Sequence, residues 1–458
     1  MRPPSHVLIA PPSRPTHAAS RAQVRLARGF LPGTFVLSRR FPSDVETFPR
    51  LDATPSAAAW LSTLQTLDVN RTFEKERADG SAPRIFGDEY NLTNPAFVGD
   101  FGSTTGRLVV RYTNMHACTD AARKAGRPKH SVVLSVSGGA AGLASARAAP
   151  ILAGTDSFID PDLARGCMVN GLEDVRSIGP SALIGSMSLV ARGGRCVASQ
   201  ILMTPQGNRV LHSPTGVIRS EKNWVAFGDG DVGWGTDANT TDDSKSALLV
   251  YMLFDSRGRT VFMRCTTDAT APSTTAEGLG VVPGGCRLTE AVHWDVKLSL
   301  DMRSSSNWVH VGPQRMLAIA HQGRRLPSTR GPNGEFERGD FEYVSRLLEW
   351  DLAADEMRVH KPSVFHAFPN TPLNKKTHVE FVTGLRPDAS RRGWVWVTYG
   401  HSDCEAHVAR FRADAILAKV PVEFVLKATK CAPRARILQH LLLRCRGTCV
   451  LMPPSPAA

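Results

Sequence analysis

Short apolar runs dominate the middle of the chain. Between Pro83 and about Phe411, runs rich in β-branched and aromatic residues alternate with clusters of Gly, Pro, Asp and Ser. Runs of this length with turn-forming residues at both ends predict strands. The segment 413–440 mixes strand and helix signals, and the first 80 residues have weak periodicity, with one short helix expected near Ala57–Leu67. The pattern predicts an all-β fold with many turns.

A two-part motif recurs five times in this region. Each copy has a short polar head with an apolar end, followed after a turn by a longer strand that ends in polar residues. The copies are Asn94–Val98 with Arg107–Thr113, Glu173–Arg176 with Ala182–Val190, Lys222–Phe227 with Ala247–Asp255, Trp308–Val311 with Gln314–Gln322, and Val379–Gly384 with Gly393–Asp403. Five copies predict a five-bladed β-propeller, in which the polar ends of the inner strands converge on a central channel.

The spacing of the copies defines the expected domain and its alternatives. The copies are roughly 50–85 residues apart, where about 40–50 is usual for a propeller blade. Long inserted loops, such as 228–246 and 323–341, are expected to carry the excess. We expect poorly ordered tails at 1–80 and 416–458, on either side of a propeller at 81–415. A β-sandwich with long loops and a pair of smaller β domains remain as alternatives.

The positive charge is concentrated at the N-terminus. The formal net charge is +13, and seven arginines but no acidic residue precede Asp44. This composition is typical of an organelle transit peptide, and a disordered tail or a wrongly chosen start codon explains it equally well. Because the basic residues are not interleaved with aromatic residues, no nucleic-acid partner is expected. No apolar run is long enough for a membrane-spanning helix, so we expect a soluble protein in an organelle or the Golgi lumen if the N-terminus directs it there.

Other motif classes are absent or weak. The nine cysteines are scattered, so neither a disulfide framework nor a zinc site is predicted. Three sequons occur, at Asn70, Asn91 and Asn239. There is no phosphate-binding P-loop and no dinucleotide-binding glycine motif between a strand and a helix. We therefore expect no metal and no bound cofactor.

Polar residues at or beside the strand ends are the candidate ligand-binding groups. Carboxylates and amides exchange paired hydrogen bonds with sugar hydroxyls, and Lys, Arg and His bind phosphate. Each residue alone is equally typical of a turn or a strand cap, but together they recur at equivalent places in the five copies. They are Asn94, Glu173, Asp174, Arg176, Lys222, Asn223, His321, Arg324, Glu380, His401, Asp403 and Glu405.

The succession of these motifs resembles a known family. The segments are NPAFV…VVRYTN, GLEDVR, EKNWVAF, LAIAHQGRR, VEFVTGL and VTYGHSDCEA. They resemble the five-bladed propellers of mannoside phosphorylases (glycoside hydrolase family 130) and mannosyltransferase-phosphorylases, and especially algal, plant and viral propeller proteins labelled glycosyltransferases. The resemblance covers roughly residues 83–411.

The resemblance implies roles for particular residues. Glu173, Asp174, Arg176 and Asp403 would contact the sugar, and Lys222, His321 and Arg324 would hold a phosphate or a sugar nucleotide as co-substrate. The expected substrate-binding set is completed by Asn94, Arg111, Asn114, Asn223, Glu380 and His401.

The implied reaction inverts the anomeric carbon, with one general acid shortly after the arginine of the first blade. Here His116 stands where the family has Asp, and Asp120 lies one helical turn beyond. With Asp174, these are the catalytic candidates. An inverting transfer needs a group that protonates the bridging oxygen and a nucleophile on the opposite face.

Three functions remain open at this point. The first is an inverting glycosyltransferase or glycoside phosphorylase acting on mannosides, with an oligosaccharide or sugar phosphate as its partner. The second is a glycan-binding propeller without catalysis. The third is a glycoside hydrolase that uses Asp174 or Glu380 as its second carboxylate. Donor, acceptor, linkage and oligomeric state are left undecided by the sequence.

Overall fold

A computed structural model describes the chain in segments. They are residues 34–48, 91–98, 107–113, 129–137, 147–150, 169–177, 183–190, 196–204, 207–211, 223–227, 246–254, 259–266, 283–284, 286–294, 302–325, 329–330, 336–337, 341–365, 378–401 and 404–431. Most of these residues lie in strands, and the described helices are α1 (Leu37–Arg40) and α2 (Ala413–Lys419). The predicted all-β class is confirmed.

Five antiparallel meanders of four strands each organise the described segments. The N-terminal segment supplies β1 (Phe35–Val36) and β2 (Val45–Thr47). The first meander is β3 (Asn91–Val98), β4 (Arg107–Thr113), β5 (Lys129–Ser137) and β6 (Arg147–Pro150); the second is β7 (Val169–Ser177), β8 (Leu183–Val190), β9 (Cys196–Thr204) and β10 (Gly207–Leu211). The third is β11 (Trp224–Ala226), β12 (Ser246–Phe254), β13 (Arg259–Thr266) and β15 (Cys286–Trp294), with β14 (Pro283–Gly284) paired to β10.

The remaining strands complete the fourth and fifth meanders and the links between them. The fourth is β17 (Val309–Gly312), β18 (Arg315–Arg325), β21 (Phe341–Asp351) and β22 (Glu356–His360); the fifth is β24 (His378–Pro387), β25 (Trp394–His401), β26 (Glu405–Arg412) and β2. The linking strands are β16 (Met302–Ser304), β23 (Ser363–Val364) and β27 (Val422–Cys431), and a separate hairpin joins β19 (Thr329–Arg330) to β20 (Phe336–Glu337). Each copy of the sequence motif forms the first two strands of one meander.

The meanders close into a ring, which is the defining feature of a propeller. The first strand of the first meander, β3, lies against β24, β25 and β26 of the fifth meander. Thr383 of β24 donates a hydrogen bond to the carbonyl oxygen of Pro95 in β3. The first strands also contact one another, β3 with β7 and β24 with both β7 and β17, so they are the inner strands. This contact between the chain's first and last meanders is unlike two separate β domains.

Apolar cores lie between neighbouring meanders. Between the third and fourth, the ring of Trp350 packs edge-on against Trp294 and Trp308, with centroids 5.2 and 5.6 Å apart. Strand β25 reads Trp-Val-Trp-Val-Thr-Tyr-Gly-His and is buried along almost its whole length. A strand in a radial sheet is covered on both faces, which explains why its sequence is nearly continuously apolar.

Two segments that were expected to lie in tails belong to the folded body. Strand β2 pairs antiparallel with β26 and supplies the fourth strand of the fifth meander. At the other end, β27 pairs with both β15 and β22. Leu37 and Val45 are buried in the same core as Ile416 of α2, so apolar burial fixes the N-terminal segment. The boundaries at 80 and 416 therefore do not mark the ends of the fold.

Several sequence predictions concern residues that the structure does not describe. The short helix near residues 57–67 and most of the loops at 228–246 and 323–341 lie outside the described residues. In the segments that are described, no helix has the length and apolarity needed to cross a membrane.

Replacing Asp44 tests how much the contacts of the N-terminal segment contribute to the stability of the fold. Its buried carboxylate pairs with Arg412 at 2.7 Å and with Lys419. We expect Asp44→Asn to lower the free energy of unfolding by about 1–3 kcal/mol at pH 7, measured by chemical denaturation. The hydrogen bond from Lys419 is the main cause that lowers the pKa of Asp44. Stability from a lowered acidic pKa is lost as the pH falls, so the difference should shrink below about pH 4.

The matched control is Asp414→Asn, because Asp414 pairs with Arg315 at an exposed position. It should cost less than about 1 kcal/mol. Equal losses in the two variants, or a loss at Asp44 that does not depend on pH, would contradict this interpretation.

Candidate functional site

Four inner strands have a β-bulge, among them β17, where the pairing register shifts between His310 and Gly312. The register also shifts in β3 between Thr93 and Ala96, in β7 between Glu173 and Arg176, and in β24 between Val382 and Gly384. A bulge leaves an extra residue out of the ladder and redirects its side chain. At the bulges of β3 and β7, Asn94 and Asp174 take left-handed backbone angles, with φ of 47° and 50°. Asn and Asp are the residue types that tolerate this conformation best after glycine.

The two left-handed residues meet. Asn94 Nδ2 donates a hydrogen bond of 2.9 Å to Asp174 Oδ1. Arg111, on the second strand of the first meander, brings its guanidinium 3.5 Å from Asp174 and 3.9 Å from Glu173. Asn94, Arg111 and Glu173 are buried, whereas 14% of the Asp174 side chain is exposed. The contacts therefore join the first and second meanders and leave the Asp174 carboxylate partly open to solvent.

Arg176 extends these contacts to the segment between β16 and β17 and to the fifth meander. Its Nε donates 2.8 Å to the carbonyl oxygen of Ser305, and its Nη1 donates 3.2 Å to the carbonyl oxygen of Asp174. Its guanidinium carbon lies 5.4 Å from the centre of the Phe381 ring. Burial lowers the pKa of Arg176, and the Asp174 carboxylate opposes this change. Arg176 therefore connects the bulge of β7 to the segment that precedes β17 and to Phe381 of the fifth meander.

His321 borders the same centre from the fourth meander. Its ring lies 5.2 Å from Phe381 and 5.0 Å from Tyr343, between ring centroids, and it is buried. Burial, with the nearby Arg176 and Arg303 guanidiniums, lowers the pKa of His321 to about 3. Its Nδ1 has no hydrogen-bond partner among the described residues. At neutral pH the ring is therefore uncharged, and it can donate one hydrogen bond and accept another. This differs from the cationic, phosphate-binding role that the resemblance implies for His321.

Gly400 lets the fifth meander approach the cluster. A Cβ on Gly400 would lie 2.0 Å from Asn94 Oδ1 and 2.7 Å from Thr93 Oγ1. Both distances are far below van der Waals contact, so a side chain at this position would displace Asn94. Glycine is therefore needed here for close approach of two strands.

We call Asn94, Arg111, Glu173, Asp174, Arg176 and His321 the central cluster. Its residues come from the first, second and fourth meanders, and Phe381 and Gly400 of the fifth lie against it. It combines two carboxylates, an amide, two guanidiniums and an imidazole. Such groups can accept and donate paired hydrogen bonds to a hydroxyl-rich ligand.

Other predicted residues lie on a different face of the fifth meander. Glu380 accepts hydrogen bonds from Ser345 Oγ at 3.1 Å and from the Phe365 backbone N–H at 2.8 Å. It pairs in register with His401, which pairs with Glu405. Since side chains alternate along a strand, these three point away from the face of Gly400. The contacts of Glu380 fasten the fourth meander to the fifth, which favours a structural role for this carboxylate.

His401 and Glu405 form a small buried group with His407. Glu405 Oε2 lies 3.5 Å from His401 Nδ1 and 3.0 Å from His407 Nε2. The His407 ring stacks on Tyr399 with centroids 5.2 Å apart. Burial lowers the pKa of His401, and Glu405 opposes this change. Across the described segments, no three His, Cys, Asp or Glu side chains are arranged to hold a metal ion.

The remaining predicted site residues cannot be placed. Asn114, His116, Asp120, Lys222 and Asp403 lie outside the described residues, and only the backbone of Arg324 is described. Asn223 is buried directly before β11. The roles of these residues stay predictions.

Three contributors were missed by the sequence reasoning. They are Ser305, whose carbonyl oxygen holds Arg176, and Thr383 and Gly400 of the fifth meander. Thr383 occupies the bulge of β24, the place that Asn94 and Asp174 occupy in β3 and β7. Aligning the five motif copies by their polar residue could have found it. The close approach at Gly400 has no sequence signal beyond a glycine inside a strand.

Comparisons with known proteins identify no family. No family model matches the chain, and no curated protein matches it. Among solved structures, the chain is similar to a β-1,2-mannobiose phosphorylase from Listeria innocua, with 9% identity and a TM-score of 0.42 over 82% of this chain and 99% of that one. It is also similar to a proposed glycoside hydrolase from Parabacteroides distasonis, with 12% identity and a TM-score of 0.37 over 70% and 87%. A third is the β-propeller domain of the trilobed protease from Pyrococcus furiosus, with 10% identity and a TM-score of 0.26 over 70% and 95%. At these scores, none of them assigns an activity.

Replacing His321 tests whether it is buried in its uncharged form. Between pH 6.5 and about 3, the unfolded chain binds a proton at His321 that the folded chain does not, so wild-type stability falls as the pH drops. His321→Gln removes this contribution. From pH 7 to pH 5 we expect the variant to lose about 2 kcal/mol less free energy of unfolding than the wild type. Chemical denaturation at both pH values checks this, and parallel losses in the two proteins would contradict it.

Proposed function

We propose that the chain is a five-bladed, carbohydrate-active propeller that transfers a hexosyl group with inversion. It would act as a glycosyltransferase or glycoside phosphorylase on mannosides. The position of Asp174 carries this proposal. Its partly exposed carboxylate is held by Asn94 and Arg111 at the centre of the ring, where the inner strands of several meanders meet.

The chemistry of the central cluster supports a sugar ligand. A fixed carboxylate accepts two hydroxyl hydrogen bonds at once, which suits the adjacent hydroxyls of a hexose. The Arg111 guanidinium lies 3.5 Å from the Asp174 carboxylate and 3.9 Å from that of Glu173, so the cluster places opposite charges close together. The motif Glu173-Asp174-Val175-Arg176, which the family resemblance links to the sugar, supplies three members of this cluster.

The acid and the co-substrate site would come from residues beyond the described segments. His116 and Asp120 follow β4, the strand that carries Arg111, and one of them would protonate the bridging oxygen. Arg176 is committed to two backbone carbonyls. Lys222 and Arg324 are therefore the better candidates to offset the charge of a phosphate or sugar nucleotide.

A glycan-binding propeller without catalysis is the second candidate. It is favoured by His116, which replaces the Asp that the resemblance leads one to expect. A glycoside hydrolase is less well supported, because it needs a second carboxylate opposite the acid. Glu380, one candidate for that carboxylate, is bonded to Ser345 and Phe365 instead.

A donor test on the full chain decides between these candidates. Mannose 1-phosphate and GDP-mannose are offered separately, each with mannose and with manno-oligosaccharides as acceptors. We expect elongation with one donor, and that donor distinguishes a phosphorylase from a transferase. In Asp174→Asn, kcat/KM should fall by about 100-fold or more, because an amide cannot replace a fixed negative charge.

The matched control is Asp355→Asn. Asp355 also has a left-handed backbone, with φ of 53°, but it lies in the turn between β21 and β22. This variant should keep wild-type activity. Absence of turnover, with manno-oligosaccharide binding that is lost only in Asp174→Asn, would favour the glycan-binding candidate. Absence of both turnover and binding in the wild type would overturn the proposed function.

A further inference from the structure

Asn94 is too deeply buried to be a ligand contact. Only 2% of its surface is exposed, while the Asp174 carboxylate beside it reaches solvent. The family resemblance predicts sugar contacts for both residues. The structure separates their roles, because only one of the two can touch a ligand.

The Asn94 side chain is held from three directions. Thr93 Oγ1 donates a hydrogen bond of 3.1 Å to Asn94 Oδ1, which orients the amide with its nitrogen towards Asp174. The Cα of Gly400 lies beside the same oxygen, where a Cβ would overlap Asn94 Oδ1. The left-handed backbone at the β3 bulge sets the direction in which the side chain leaves the strand. An amide held this way can fix the orientation of the carboxylate that it binds.

We propose that Asn94 is a positioning residue that holds the Asp174 carboxylate in the orientation needed for the ligand, with Gly400 providing the space for it. This inference rests on the proposed function, because it assigns the ligand contact to Asp174. The energetic reason is that an ionised carboxylate gains most from fixed donors when it does not have to reorganise on binding. Arg111 supplies the second fixed contact, at 3.5 Å.

A residue swap tests the pairing without any substrate. Asn94→Asp places two carboxylates side by side, so its melting temperature should fall at pH 7 and recover towards pH 4 as one of them binds a proton. Adding Asp174→Asn to that variant restores an amide-to-carboxylate hydrogen bond with donor and acceptor exchanged. The double variant should therefore regain most of the lost melting temperature. A loss equal to the sum of the two single losses would overturn the pairing.

Activity measurements distinguish a positioning role of Asn94 from direct contact with the ligand. In Asn94→Ala, kcat/KM should fall about 10- to 100-fold. A change of this size corresponds to the free energy of one hydrogen bond to a charged group. The acid side of the pH–rate profile should move to higher pH, because the ionised carboxylate has lost a donor. If the chain binds glycans without turnover, the affinity for a manno-oligosaccharide is measured against pH instead. A higher KM with an unmoved pH profile would indicate direct ligand contact and overturn the proposal.

Gly400→Ala should shift activity and pH profile in the same direction, although it changes no polar group. Its control is Gly312→Ala in β17, where a Cβ would meet nothing closer than Arg315 Cβ at 3.8 Å. That variant should stay within twofold of the wild type, and equal effects of the two alanines would overturn the role of Gly400. The swap gives its answer even if the wild type proves inactive, so failure of this inference can be told from failure of the proposed function.

Discussion

The hydrogen bond between Asn94 and Asp174 constrains much of the centre of this structure. It joins two left-handed residues on neighbouring inner strands, and each residue lies where a bulge interrupts its strand. Left-handed non-glycine residues are strained, and such strain persists where the surrounding structure holds it. Here the surroundings are the Arg111 guanidinium, the Thr93 hydroxyl and the bare Cα of Gly400. Three meanders must therefore meet closely at one point.

The apolar cores between the meanders hold the ring in which this meeting occurs. Trp294, Trp308 and Trp350 fill the space between the third and fourth meanders, and buried Val382 and Val397 lie in the core shared by the fourth and fifth. The fifth meander is completed by β2, which is far from β26 in sequence. Burial provides most of the stability, whereas the polar contacts at the centre determine which atoms meet.

The local sequence pattern predicted the strands of the meanders. It missed features that depend on contacts between residues far apart in the sequence. The inner and second strands of all five meanders were found because apolar runs and turn residues are local signals. Phe35–Thr47 was taken for a tail, because its partners Arg412 and Lys419 are more than 360 residues away. Glu380 was assigned to the site, but it lies on the other face. The face on which Glu380 lies follows from its pairing with His401 in the register of β24 with β25, and a shift of one residue would move its side chain to the opposite face of the sheet.

The central claim is that the Asp174 carboxylate is the ligand contact at the centre of the ring. A crystal structure of the full chain with a bound manno-oligosaccharide tests it most directly. The account predicts a sugar hydroxyl within about 3 Å of Asp174, with Asn94 still bonded to the same carboxylate and excluded from the sugar. A sugar bound on the face of His401 and Glu405, or at the outer strands, would contradict it.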